Sequence, residues 1–285
     1  MQKLTIKRKN MQHLPFLLPG LIGVCVFVLI PFADSVRRSF CTAVTGKFVG
    51  IQNYKVIFGN EAFMLAVKNT VLFTAACLPI LITVSFFLSF ALCKLKYIRL
   101  IKSALLFPLA VPTATLVMVW QILFHDAGYI NRIITECGGT EIHFLTTSAA
   151  FWVLVGSYVW KNLGYTVLLW VTGMMSISTS LTEAAKVDGA NEWQCLIHMI
   201  LPNLKPTLYT ITIISFLNSF KVFREAYLVA GSYPHDSMYL LQHLFNNWFV
   251  GMELDKMAAA AVCVFTVIFA AIVLLQRAWD REGAQ

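Results

Sequence analysis

The sequence predicts an all-α integral membrane protein of six transmembrane helices, a single transmembrane domain over residues 1–285. Three observations predict it. The chain is 58% hydrophobic and only 13% charged, where soluble domains run near half and a quarter. Its apolar residues gather in six runs, about 14–36, 67–93, 103–124, 149–174, 206–230 and 257–279, each near the roughly 20 residues that carry a helix across a bilayer. The runs are uniformly apolar instead of alternating in segments of about ten, which excludes the strands of an outer-membrane barrel.

Taken in order, the first run is free of charge from Leu14 to Ala33 and lacks a small-residue cleavage site, so it reads as a span and not as a removable leader. The second and third are charge-free over Asn69–Cys93 and Ser103–Phe124. Pro79, Pro108 and Pro112 free backbone carbonyls within them and predict bends. The fourth run carries Lys161, and the fifth carries Lys221, Arg224 and Glu225 near its end. The sixth is uninterrupted over Met257–Gln276. Too little chain remains between runs for a soluble domain.

Six spans place both termini on one side. With that side inside, the inner segments hold Lys3, Lys7, Arg8, Lys9, Lys94, Lys96, Arg99, Lys102, Lys186, Lys205, Arg277 and Arg281, and the outer ones hold fewer basic residues. That bias sets both termini in the cytoplasm, although Arg37 and Arg38 run against it. The net charge of +8 is then topology and attraction to anionic lipid. No basic stripe interleaved with aromatics points to nucleic acid.

Enzymatic chemistry finds no foothold. There is no HExxH, no GxSxG, no His/Cys cluster and no phosphate loop, so no metal site, no catalytic residue and no cofactor are expected in this chain. The seven cysteines show no CxxC pair. Those in spans read as small apolar packing groups, and a pairing of Cys41 with Cys137 stands as an alternative for the outer segments.

Charge concentrates instead in the inner loop 176–205, at "LTEAAKVDGANEWQCLIHMILP" (181–202). Ser180 and Glu183 match a capping box. Gly189 is a natural left-handed terminator, so the helix they start ends near Asp188. Ala184 and Ala185 keep one side thin. Beyond the glycine, Trp193, Leu196, Ile197, Ile200 and Leu201 form one apolar stripe on a second helix, with Pro202 and Pro206 leading into the fifth span. A helix of about eight residues is unstable alone. It requires a surface, either lipid or another protein.

This stretch resembles the EAA loop of importer-type ABC transporter permeases. Glu183, Ala184, Ala185, Gly189, Ile200, Leu201 and Pro202 sit at the matching positions, and Asp188 and Ala190 extend the match. The resemblance runs nearly the full length and is similar to the sugar (maltose-like) branch through "PFADSVRRSF" at 31–40, "FVGIQNY" at 48–54, "NTVLF" at 69–73, "FPLAVPTATLVMVWQILFHDAGYIN" at 107–131 and "YVWKNLGY" at 158–165. Two departures stand out. "AGSYPHDS" at 230–237 replaces the usual Gly-Gly-Pro, and Ser178 replaces a proline ahead of the EAA helix.

The resemblance implies a coupling helix that seats in an ATP-hydrolysing subunit. It implies as partners a second homologous permease, two ATP-binding cassette subunits that bind ATP and Mg, and an extracytoplasmic solute-binding protein. Its setting would be a prokaryotic inner membrane. A substrate site is expected where polar groups enter the spans. Asn162 and Tyr165 share a face of span four, and Ser215, Asn218 and Ser219 share one of span five. Amides, hydroxyls and an aromatic ring suit a sugar, and the resemblance also places sugar contacts on these spans. Packing between helices uses the same residue types. A stand-alone secondary transporter is the other reading. It would be expected to show inverted repeats and mid-span acids, which the sequence does not display.

Overall fold

The computed structural model describes residues 14–94 and 98–283. Met1, Gln285, Lys3, Lys7, Arg8, Lys9 and Lys96, on which the expected orientation leans, lie outside the described residues.

The described residues form helices joined by loops, and the only β pairing among them is an isolated bridge between Cys41 and Phe48. The N-terminal helix comprises α1 (Leu14–Val24), a π-turn (Cys25–Leu29) and α2 (Ile30–Ser39); α3 (Gln52–Phe58) and the long α4 (Glu61–Cys93) follow. Next come α5 (Ile98–Ala110), α6 (Thr113–Phe124), α7 (Tyr129–Glu136) and α8 (Ala149–Met175). The charged loop contains α9 (Thr179–Val187), α10 (Glu192–Cys195), a π-turn (Leu196–Ile200) and α11 (Leu201–Asn203). Then follow α12 (Lys205–Ser219), a 3-10 turn (Phe220–Val222), α13 (Phe223–Ala230), α14 (Leu241–Val250) and α15 (Leu254–Gly283).

Among the described residues, three helices are long and apolar enough to cross a membrane: Leu17–Ser39, Glu61–Cys93 and Leu254–Trp279. A fourth crossing exists if Ser103–Ala110 and Thr113–Glu136, bent by 96°, form one span. Six crossings therefore do not follow from helix length and apolarity. The reasons are local. Lys161, Asn162 and several aromatic residues dilute α8, and the expected fifth run is divided by the 3-10 turn at Phe220–Val222. The three prolines also act differently. α4 and α5 continue past Pro79 and Pro108, while Pro112 caps α6 at the bend.

The chain forms two compact units, one from the chain up to Asn60 with Trp248–Leu275, the other from Glu61–Asn247 with the chain from Gln276 onward. In the first, α1 and the π-turn after it are apolar all round and exposed, with Phe27 80% accessible, as lipid-facing helices are. Arg37 and Arg38, the exceptions to the charge bias, both bond Asp34, at 2.9 and 2.6 Å. The Asn53 amide donates to the carbonyls of Ser39 and Cys41 and closes the turn that carries the bridge. Cys41 and Cys137 are both free thiols, so the alternative pairing is not made.

The second unit is built on α4 against α8. Small residues bring the two helices close. Ser89 donates to the Val167 carbonyl at 3.1 Å, and Ser85 accepts from the Trp170 indole at 3.1 Å; such bonds hold helices together where lipid offers no competing partner. Phe73, Cys77 and Leu81 bury against Leu154, Tyr158, Val222 and Ala226. α5 approaches α8 so closely that a Cβ on Gly164 would lie 1.7 Å from the Leu105 carbonyl oxygen. The departing segment 230–237 is also tied down. Gly231 takes a left-handed φ of +75°, Asn69 donates to the carbonyls of Asp236 and Tyr239, and Thr70 accepts the Leu241 N–H. Beside it, burial pushes the His243 imidazole down to about 4, so the ring is neutral at ordinary pH.

Candidate functional site

Two places merit description, the charged loop and a polar cavity beside α8. In the loop, α9 ends as its sequence dictates. Gly189 adopts φ +85°, and the Ala190 N–H bonds back to the Ala185 carbonyl at 2.9 Å, a Schellman closure that only a residue without a Cβ makes cheaply. The expected cap at Ser180 is corrected. Ser180 lies within α9, with its hydroxyl 2.6 Å from that of Ser178. The capping box belongs to Asn191 and Gln194, which exchange bonds of 2.9 and 2.8 Å at the start of α10. Its signal, Asn-x-x-Gln just after a helix-ending glycine, is present in the sequence.

Ala185 is buried, whereas Glu183, Ala184, Asp188 and Gly189 are exposed and Ala190 is half-buried. Ala184 borders a groove of about 520 Å3 shared with Ile177, Leu181 and Asn203. The predicted stripe divides: Leu196 is buried and Ile200 partly so, while Trp193, Ile197 and Leu201 are 63%, 52% and 44% exposed. Pro202 is exposed as well. An ion pair of 2.6 Å between Lys94 and Glu192 ties the end of α4 to α10, though such an exposed pair adds little stability.

The cavity, of about 200 Å3, is lined by Ser157, Lys161 and Asn162 of α8, Asn218 at the end of α12, and Lys221 and Glu225 beyond it, with Leu109, Tyr158 and Val222 completing the wall. Of the predicted substrate residues it joins Asn162 and Asn218, whose side-chain amides meet at 3.4 Å. The others stand apart from it. Ser215 is buried, its carbonyl accepting the Tyr158 hydroxyl at 2.6 Å. Ser219 is buried 3.2 Å from the Thr74 hydroxyl. Tyr165, half-buried, does not line the cavity.

Lys161 has a partner that the sequence reading did not assign. It bonds the carboxylate of Glu225, 64 residues on. Glu225 is 4% exposed, and its second oxygen Oε2 has no hydrogen-bond partner among the described residues; neither does the Oγ of Ser157, 3% exposed. Lys221 donates to Asn218 Oδ1 at 3.0 Å and is exposed. Ser157 and Glu225 are the residues that sequence reasoning missed. The spacing Ser157–Lys161, one helical turn on one face of α8, is the available signal for the first.

Among known proteins, a family profile described as "Binding-protein-dependent transport system inner membrane component" matches residues 95–282. The "Probable starch degradation products transport system permease protein AmyD" of Thermoanaerobacterium thermosulfurigenes is 28% identical over 259 residues, 89% of this chain and 88% of that one. The "sn-glycerol-3-phosphate transport system permease protein UgpA" of Yersinia pseudotuberculosis is 27% identical over 281 residues, 94% of this chain and 95% of that one. A solved bacterial alginate ABC transporter, in complex with an alginate pentasaccharide-bound periplasmic protein, includes a chain with the same fold. Its TM-score is 0.84 at 20% identity, covering 99% of this chain and 98% of that one.

Proposed function

This chain belongs to the family of binding-protein-dependent transport system inner membrane components, and from that premise we propose that it is one permease subunit of an ATP-driven importer of a sugar or oligosaccharide. As a member it is a multi-pass membrane transport component and not an enzyme. In the proposed assembly a second, homologous permease completes the pathway. Two ATP-binding cassette subunits hold ATP and Mg, and an extracytoplasmic binding protein delivers the solute. Both termini and the loop 176–205 face the cytoplasm.

One observation carries the coupling role: within the matched region, a short helix closed by left-handed Gly189 leaves Ala184 on an open groove and Trp193 and Ile197 exposed. An element so short needs a partner surface. A sugar cargo is supported by the similarity to AmyD, a probable permease for starch degradation products, and by the paired amides of Asn162 and Asn218 in the cavity. Tyr165, Ser215 and Ser219 then belong to the surroundings of that site. Buried Glu225 is the acid that a stand-alone ion-coupled transporter would need, but Lys161 neutralises it, and the family works with a binding protein.

The test is purification of the chain with the subunits that co-assemble with it, followed by ATPase assays in proteoliposomes. An ATPase that co-elutes, and is stimulated by loaded binding protein, is expected. Gly189→Leu places a side chain at φ +85°, a strain of about 1–2 kcal/mol, and Glu183→Lys reverses charge near the helix start. Both are expected to leave the chain inserted while stimulation falls severalfold. Wild-type stimulation in both variants refutes the loop as the coupling element.

A further inference from the structure

The cavity beside α8 contains more unsatisfied chemistry than the two amides use. Asn162, Asn218 and Lys221 are linked in series, and Lys161 is engaged by one oxygen of Glu225. Two polar atoms in its wall are left over, Ser157 Oγ and Glu225 Oε2, on side chains 3% and 4% exposed, with no hydrogen-bond partner among the described residues. Buried polar atoms without partners are rare and costly, a carboxylate oxygen above all. Where the two side chains that carry them line one cavity, a ligand that reaches in can satisfy both.

We propose that Ser157 and Glu225 form the hydroxyl-receiving end of the ligand site and restrict it to uncharged saccharides; this rests on the importer reading above. The donor inventory decides the class. An ionised carboxylate oxygen only accepts, so whatever meets Oε2 must bring a donor. A sugar hydroxyl brings one, and its oxygen can take the Ser157 proton in return. The carboxylate of a uronate, like a phosphate, brings only acceptors and a like charge, so it cannot take the place of a hydroxyl at Oε2. The cations do not reverse this. Lys161 is already matched by Oε1, and exposed Lys221 is screened by water. At about 200 Å3 the cavity is smaller than the roughly 300–1,000 Å3 of whole-ligand pockets, so it takes one end of a saccharide. The relatives are named for both starch degradation products and a phosphorylated glycerol, so the choice between neutral and charged cargo rests on the cavity.

The experiment uses the complete importer in proteoliposomes with its binding protein and internal ATP. The external probe is a mixed pool of starch and xylan hydrolysates with pectin and alginate hydrolysates, and accumulated sugars are identified by mass spectrometry. Uncharged oligosaccharides are expected inside and uronates outside. With the accumulated sugar as probe, Ser157→Ala is expected to raise the half-saturating concentration about three- to tenfold, and Glu225→Gln at least tenfold. Because Ser157 Oγ has no hydrogen-bond partner among the described residues, Ser157→Ala should leave complex yield and melting temperature unchanged, which separates ligand contact from folding even where Glu225→Gln lowers the yield. Accumulation of uronates overturns the proposal and leaves the importer reading intact. Unchanged half-saturation in Ser157→Ala also overturns it. Accumulation of no sugar from either pool rejects the saccharide importer itself.

Discussion

Substituting valine for Gly164 is expected to abolish recovery of folded protein from the membrane. Gly164 is where α5 and α8 touch: a Cβ there would stand 1.7 Å from the Leu105 carbonyl oxygen and 2.5 Å from its carbon. The obstacle is backbone, which cannot rotate aside as a side chain can. Separating the helices enough to admit even alanine would dismantle the packing on both sides, at a cost of about 3 kcal/mol or more, a large share of a typical stability of about 5–15 kcal/mol. The control lies on the same helix. Gly156 faces open space, so Gly156→Ala should be neutral or slightly stabilising, since alanine is the better helix former by about 1 kcal/mol. Yield and melting temperature in detergent measure both. Wild-type behaviour of Gly164→Ala would show that the contact is not required.

The second large effect is expected at Lys161. Lys161→Met removes the cation from a carboxylate that is 4% exposed, and breaking a buried pair by deleting one partner typically costs about 3–5 kcal/mol. The charge left behind, and not the lost attraction, is the source of the damage. Lys161→Met with Glu225→Leu should therefore melt nearer to wild type than Lys161→Met alone, even though it carries one more substitution. A double variant as unstable as the single one would mean that the pair has a geometric role beyond mutual neutralisation.

The sequence carried the helical class, the left-handed stop at Gly189 and the break at Pro112, because each depends on a few adjacent residues whose backbone preferences are strong. It misplaced what depends on long-range partnership. Ser180 and Asn191 offer the same capping pattern, and only the actual start of each helix decides which is used. Spacing put Asn162 and Tyr165 on one face, but spacing cannot say how far along that face a cavity extends. Glu225 was dismissed as lying near a span end. The 3-10 turn at Phe220–Val222 interrupts the 3.6-residue count, so its meeting with Lys161 could not be projected from Asn218. No local signal links residues 64 apart.

The contact between α5 and Gly164 also bears on how the chain enters the bilayer during synthesis. α5 has 13 residues, a length of about 20 Å, short of the roughly 30 Å of hydrocarbon, and a 96° bend separates it from the helix that follows. It cannot stay in lipid as a finished crossing by itself. The surface that receives it, the glycine notch in α8, is translated about 60 residues later, a delay of about 3–12 s at ribosomal speed. Through that interval α5 (Ile98–Ala110) exists without the surface it packs against in the finished fold.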